Sequence, residues 1–189
     1  YLASTSTTGL SNVYHKFCVA SEGYRDLFVG KGVRPEKIAV TGIPNFDNAR
    51  QYLDNDFPYR DYVLVATSDA RETFKFDNRK AFLKRAMSIA GDRQMIFKLH
   101  PNENVRRSST EIKKFAPHAL VFHDGDAHKM VANCNVLITQ YSSLAFTGIA
   151  LDKEVHSYFD GELLKRLTPI QNDGSSAGNI AHICRSYLH

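Results

Sequence analysis

What this sequence lacks narrows its role first. Its three cysteines, Cys18, Cys134 and Cys184, lie far apart and are odd in number. They form no metal-ligand spacing and imply no disulfide framework, so a reducing compartment is the natural setting. No apolar run approaches the ~20 residues of a membrane-spanning helix, and no stretch has the layout of a secretory signal. The expected location is therefore cytoplasmic, with membrane contact left to any part of the protein outside this chain. A Gly-x-Gly-x-x-Gly turn, a Walker loop and a paired-cysteine zinc motif are all missing. So are internal repeats and low-complexity tracts. Charge of one sign is scarce as well: 24 basic residues against 20 acidic ones leave +4. That biases the chain mildly toward anionic ligands and is too little to indicate nucleic acid. Lys98, Arg106, Arg107, Lys113 and Lys114 do gather locally, as a solvated face or a binding patch.

What is present has ordinary globular proportions, with 43% hydrophobic and 23% charged residues. The 189 residues suffice for one substantial domain that buries roughly 70% of its unfolded surface. The chain opens on Tyr1 and a small, polar dozen, YLASTSTTGLSN. We expect an entering linker over 1–16 and a domain over 17–189, together a fragment of a larger protein.

From residue 17 onward, short apolar or β-branched runs alternate with helical stretches. Strands are expected at 17–20, 38–41, 61–66, 94–99, 119–123, 135–139 and 155–159. Helices are expected at 22–31, 76–90, 109–115, 128–132, 142–151 and about 179–187. Strand–helix alternation with continuously apolar strands predicts an α/β fold, a Rossmann-like, mostly parallel sheet covered by helices on both faces. Ligands of such sheets bind beyond the carboxyl ends of the strands. Five strand ends therefore hold the candidate residues.

Gln140-Tyr141-Ser142-Ser143 follows Thr139 at one end. Hydroxyls at a helix start can face an anion, which the helix dipole favours by about 0.3–1 kcal/mol. They can equally cap the helix, and the two roles are compatible. His100-Pro101-Asn102-Glu103 follows the 94–99 strand. Pro101 biases His100 toward extended backbone and holds the imidazole at the sheet rim. There it can donate to a phosphate or act as an acid or base. Thr67-Ser68-Asp69-Ala70-Arg71 offers hydroxyls and a guanidinium suited to phosphate, or simply a polar loop. Gly42-Ile43-Pro44-Asn45 reads most simply as a structural turn. Asp124-Gly125-Asp126-Ala127-His128 carries turn and cap signals that outweigh a metal site.

These segments are familiar. FCVASEGYRDLFVGKGVRPEKIAVTGIPNFDN (17–48) resembles the interdomain segment of GT-B enzymes, above all the non-hydrolysing UDP-N-acetylglucosamine 2-epimerases, with Gly32, Val33, Ile38, Val40, Thr41 and Gly42 in place. FKLHPNEN (97–104) is similar to the His-Pro strand end of those epimerases and of CDP-glycerol glycerophosphotransferases. NCNVLITQYSSLAFTGIALDKEV (133–155) resembles the glycerophosphotransferase pattern around Tyr-Ser-Ser. Departures are plain: Gln140 stands for that family's Asp, Thr147 for a second Asp, and Glu154 for the Pro of its Lys-Pro. The Asp-Ser-Gly-Gly signature of the epimerases is replaced by Gln140–Ser143.

The resemblance implies one half of a GT-B fold, the donor-binding domain of a transferase in surface-polysaccharide or wall-polymer synthesis. It implies His100 as the catalytic group. Gly42, Asn45, Thr67, Ser68, Arg71, Asn102, Thr139, Tyr141, Ser142 and Ser143 would then contact a UDP- or CDP-type donor. No cofactor or metal is implied beyond that nucleotide-activated sugar or polyol phosphate. The expected partner is an N-terminal acceptor domain of the same protein, with no nucleic acid involved. A divergent 2-epimerase and a non-catalytic nucleotide-binding module are the alternatives.

Overall fold

The computed structural model describes residues 13–188; the expected linker therefore lies largely outside the described residues. The chain divides into two compact units, residues 1–49 with 162–189, and residues 50–161. In the first, β1 (Phe17–Val19) pairs in parallel with β2 (Ile38–Val40), and α1 (Glu22–Gly30) connects them. Val19, Phe28, Val33 and Ile38 form its small core. Ser21 caps α1 by accepting from Tyr24 N–H, which the sequence anticipates.

The second unit is a five-stranded, wholly parallel sheet of order β5-β4-β3-β6-β7. Its strands are β3 (Val63–Ala66), β4 (Met95–Lys98), β5 (Leu120–Phe122), β6 (Val136–Thr139) and β7 (Glu154–His156). Between them run α2 (Arg79–Ala90), α3 (Val105–Phe115), α4 (Ala127–Asn133) and α5 (Leu144–Ala150). Alternate strand residues serve opposite faces. Val63, Val65, Phe97 and Ile138 pack with Phe82, Ala86 and Ile112 of α2 and α3. Leu64, Ala66, Ile96 and Leu137 pack with Met130, Val131 and Leu144 of α4 and α5. Both faces are thus buried, which is why the strands read as unbroken apolar runs. Gly148 lets α5 lie close on the sheet: a Cβ there would meet Val155 Cγ2 at 2.8 Å and Leu137 Cδ2 at 3.0 Å.

Several boundaries move for local reasons. α2 starts at Arg79 because the Asn78 side chain accepts from Ala81 N–H and caps it. Asn104 does the same for α3, four residues ahead of the expected start. β7 ends early because Ser157 Oγ donates to the Gln140 carbonyl at 2.7 Å and turns the chain. Two helices of the C-terminal region, α6 (Gly161–Leu167) and α7 (Ser176–Arg185), belong with the first unit apart from Gly161. α6 was not expected. α7 begins three residues early, where Ser176 N–H donates to the Asp47 carboxylate at 2.9 Å.

Candidate functional site

The β3–β6 boundary is where the strand order reverses, since β4 and β5 extend the sheet one way and β6 and β7 the other. A crevice forms at such a switch point, beyond the carboxyl ends of the strands. Registers Ala66↔Lys98 and Ala66↔Thr139 put the ends of β4, β3 and β6 side by side. The turns carrying Thr67 and Ser68, His100 and Asn102, and Tyr141, Ser142 and Ser143 are brought together there.

Beneath them lies a buried polar network that sequence reasoning did not find. The Glu103 carboxylate, fully buried, accepts from His100 N–H at 2.8 Å, Ser108 Oγ at 3.0 Å, Arg79 Nη2 at 2.6 Å and the Thr67 hydroxyl. Arg79 also donates from Nε to Asp77 Oδ2 at 3.2 Å and from Nη2 to the Ser68 carbonyl at 3.2 Å. Asp77 in turn accepts from Gln140 Nε2 at 3.0 Å, and Gln140 Oε1 accepts from Ser68 Oγ at 2.8 Å. One continuous chain of bonds therefore joins all three turns. Buried charges persist only when paired and hydrogen-bonded in this way. Thr67, Ser68, Gln140 and the Glu of His-Pro-Asn-Glu were visible in the sequence as strand-end residues; that they would join one buried network was not.

The candidates separate into supporting and open groups. Thr139 is buried and donates to the Ala66 carbonyl at 3.2 Å; Thr67 is buried on Glu103. Arg71 forms a bidentate pair with Glu111 of α3, at 2.8 and 2.9 Å. That bond holds the Glu111 carboxyl below its ordinary range and raises the guanidinium further. Open to solvent are Tyr141, 67% exposed, together with Ser143, Asn102 and in part His100 and Ser142. Ser143 makes no side-chain cap bond, whereas Ser142 Oγ accepts from Leu144 N–H at 3.2 Å. Gly42 and Asn45 belong to the other unit. At Gly42, φ is +76° and a Cβ would strike Ser176 Oγ at 2.3 Å, which accounts for glycine in that turn.

His100 has a defined tautomer. Its Nδ1 accepts from Asn102 N–H at 3.2 Å, while Asp69 Oδ2, at 3.7 Å, is too far for a hydrogen bond. The neutral ring therefore carries its proton on Nε2, a donor available to a ligand. Asn102 Nδ2 donates to Asp69 Oδ2 at 3.0 Å and steadies the turn.

Two expected groupings change. Lys98 leaves the basic cluster: it is buried, donates to the Leu99 and His123 carbonyls at 3.0 and 2.7 Å, and burial lowers its pKa. The Asp124–His128 segment is occupied structurally. Asp126 caps α4 through His128 N–H, and His128 Nδ1 lies 2.8 Å from Thr147 Oγ1. The His128 ring stacks on Tyr52, centroids 4.8 Å apart. Among the described residues no cluster of three His, Cys, Asp or Glu is placed to hold a metal ion.

No protein-family model matches the chain, and no curated protein sequence does. Solved structures do. UDP-GlcNAc 2-epimerase from Methanocaldococcus jannaschii, in complex with UDP-GlcNAc and UDP, superposes with a TM-score of 0.68 at 16% identity, over 92% of this chain and 62% of that one. The Neisseria meningitidis UDP-GlcNAc 2-epimerase bound to UDP-GlcNAc gives 0.61 at 11%, over 93% and 62%. The wall teichoic acid polymerase TagF, in an H444N form with CDPG, gives 0.53 at 13%, over 96% and 58%. The chain thus spans about three-fifths of the length of these proteins. What they share with it is the Rossmann-like α/β fold of one half of a GT-B enzyme, the fold the sequence resemblance implies.

Proposed function

We propose that this chain is the donor-binding domain of a GT-B-type transferase that uses a nucleotide-activated sugar or polyol phosphate. The observation that supports it best is the convergence of His100, Asn102, Tyr141, Ser142 and Ser143 on the switch point of the sheet. Two of the structures with the same fold hold UDP-GlcNAc, and a third was soaked with CDPG. In this reading the hydroxyls of Ser142 and Ser143 and the surrounding backbone N–H groups bind the donor phosphates. As the acceptor oxygen forms its new bond and releases its proton to solvent, the bond from the transferred group to the nucleotide oxygen breaks. Its electron pair remains on the departing nucleotide, where fixed donors stabilise the charge. In this reading His100 Nε2–H donates to the departing phosphate. The acceptor comes with further parts of the protein, so the chain alone binds nucleotide without turnover. No cofactor besides the donor is called for.

Calorimetric titration with UDP, CDP, CMP, ADP and GDP tests this. Selective binding of one pyrimidine nucleotide, weakened by Ser142→Ala/Ser143→Ala, is the expected result. Binding that ignores the double substitution would remove the β6 turn from the site. A second reading, a divergent UDP-GlcNAc 2-epimerase, is favoured by the superposition on the archaeal epimerase and by residues 17–48. Its measure is conversion of UDP-N-acetylglucosamine to its manno epimer by the full-length protein.

A further inference from the structure

We propose that the outer surface of α2 and α3 docks this chain on an anionic lipid bilayer. These two helices carry Arg79, Lys80, Lys84, Arg85, Arg106, Arg107, Lys113 and Lys114 against the single acid Glu111. That is +7 on two helices of a chain whose total is +4, which leaves the remainder at −3. Only Arg79 turns inward, and all the other bases are exposed. Glu111 is neutralised by Arg71 from the β3–α2 loop. Arg107 is paired with Glu72, and Arg85 lies over the Tyr158 ring. Lys80, Lys84, Arg106 and Lys114 have no carboxylate partner among the described residues, so their charge faces outward uncompensated.

The same surface carries apolar groups that solvation does not explain. Phe74 and Phe76 are 99% and 92% exposed. The loop bearing them is fastened to α3 by Arg71–Glu111 and Glu72–Arg107. Phe76 lines a cavity of about 490 Å3 with Lys80, Leu83, Lys114 and Phe115. Exposed phenylalanines beside lysines are the combination that binds a headgroup region, with rings among the acyl chains and ammonium groups over the phosphates. The free charge is mostly lysine, a point charge suited to a diffuse anionic surface rather than to bidentate reading of individual phosphates. It is spread across two helices instead of following a groove, which favours a bilayer over a nucleic-acid strand. The proposal puts on this chain a membrane contact that the sequence reading left to parts outside it.

Co-sedimentation of the 189-residue chain with phosphatidylglycerol–phosphatidylcholine vesicles, and with phosphatidylcholine alone, tests the proposal. We expect binding to the anionic vesicles on the order of tenfold stronger, and reduced by salt. Lys80→Glu/Lys84→Glu/Lys114→Glu abolishes it and Phe74→Ser/Phe76→Ser weakens it, with circular dichroism unchanged. Should the charge reversals unfold the chain, the corresponding alanine triple shows the same loss at smaller amplitude. Equal binding to both vesicle types, or binding insensitive to the lysines, overturns the proposal. So does retention on a duplex oligonucleotide without retention on vesicles.

Discussion

The ends of β4 and β6 hold the two halves of the candidate site, and they are held in place by different chemistry. At β4 the turn rests on a carboxylate: buried Glu103 collects the Thr67 and Ser108 hydroxyls, the His100 amide and the Arg79 guanidinium. At β6 it rests on a neutral amide. The Gln140 side chain spans Ser68 and Asp77, and the Gln140 backbone carbonyl accepts from Ser157 Oγ. A charge-assisted cluster is strong when complete and costly when broken, whereas an amide joins a donor to an acceptor without adding charge. Gln140 therefore suits a place beside a buried Asp77. An aspartate, which the resembling family has there, would set a second carboxylate against it. The charged bonds are concentrated under His100, while Tyr141 and Ser143 stand out in solvent.

Breaking the charged end should have the largest effect. Glu103→Ala leaves Arg79 short of a partner and the His100 N–H and Ser108 hydroxyl unsatisfied, while Thr67 keeps the Lys98 carbonyl at 3.3 Å; we expect a loss of about 3–5 kcal/mol in urea unfolding. Full stability in that variant would show that the network does not hold the turns.

Charging the neutral end comes next. Gln140→Glu brings a carboxylate to about 3 Å from Asp77 and should cost about 1–3 kcal/mol at neutral pH. Like-charge repulsion raises the folded-state pKa of the new group above its unfolded value. Stability should then recover as pH falls toward the carboxylate range and decline as pH rises through the raised pKa. A flat pH profile would mean that the two groups do not face each other.

A smaller effect sharpens the contrast from the ligand side. Ser142→Ala/Ser143→Ala should change stability by no more than about 1 kcal/mol, because only one weak cap bond is lost. Nucleotide affinity should fall roughly tenfold, two hydrogen bonds' worth.

The smallest effect lies away from both ends, at His128. Burial lowers its pKa below the ordinary value of 6.5. Just below pH 6.5 the unfolded chain takes up a proton that the folded chain does not, so stability rises with pH across that window. His128→Asn should flatten this slope in thermal melts recorded from mildly acidic to neutral pH.

Much of the site was legible because it sits in short contiguous segments. His100-Pro101-Asn102 and Tyr141-Ser142-Ser143 each follow a strand that announces itself by its apolar run. The parallel arrangement then places them side by side. Their supports were not legible. Asp77 and Arg79 fall in the first turn of the helix expected at 76–90, where nothing in the sequence marks them for burial, and their partners Gln140 and Glu103 lie 63 and 24 residues away. Thr139 and Thr67 looked like ligand hydroxyls, and the tertiary structure uses both within the sheet and its network. Lys98 looked like part of a basic patch because charge in sequence carries no direction; its strand register turned it inward onto two carbonyls.

The sequence alone determined the α/β class, the strand–helix alternation and the turns that follow the carboxyl ends of the strands. Those features depend on local periodicity, capping and proline or glycine geometry, all written within a few residues. Only the tertiary structure decided the strand order with its reversal at β3 and β6, the division into two units and the roles of Glu103 and Gln140. It also gathered the bases of α2 and α3 onto one outer surface. These depend on which distant residues meet, and burial and pairing energies are set there rather than along the chain.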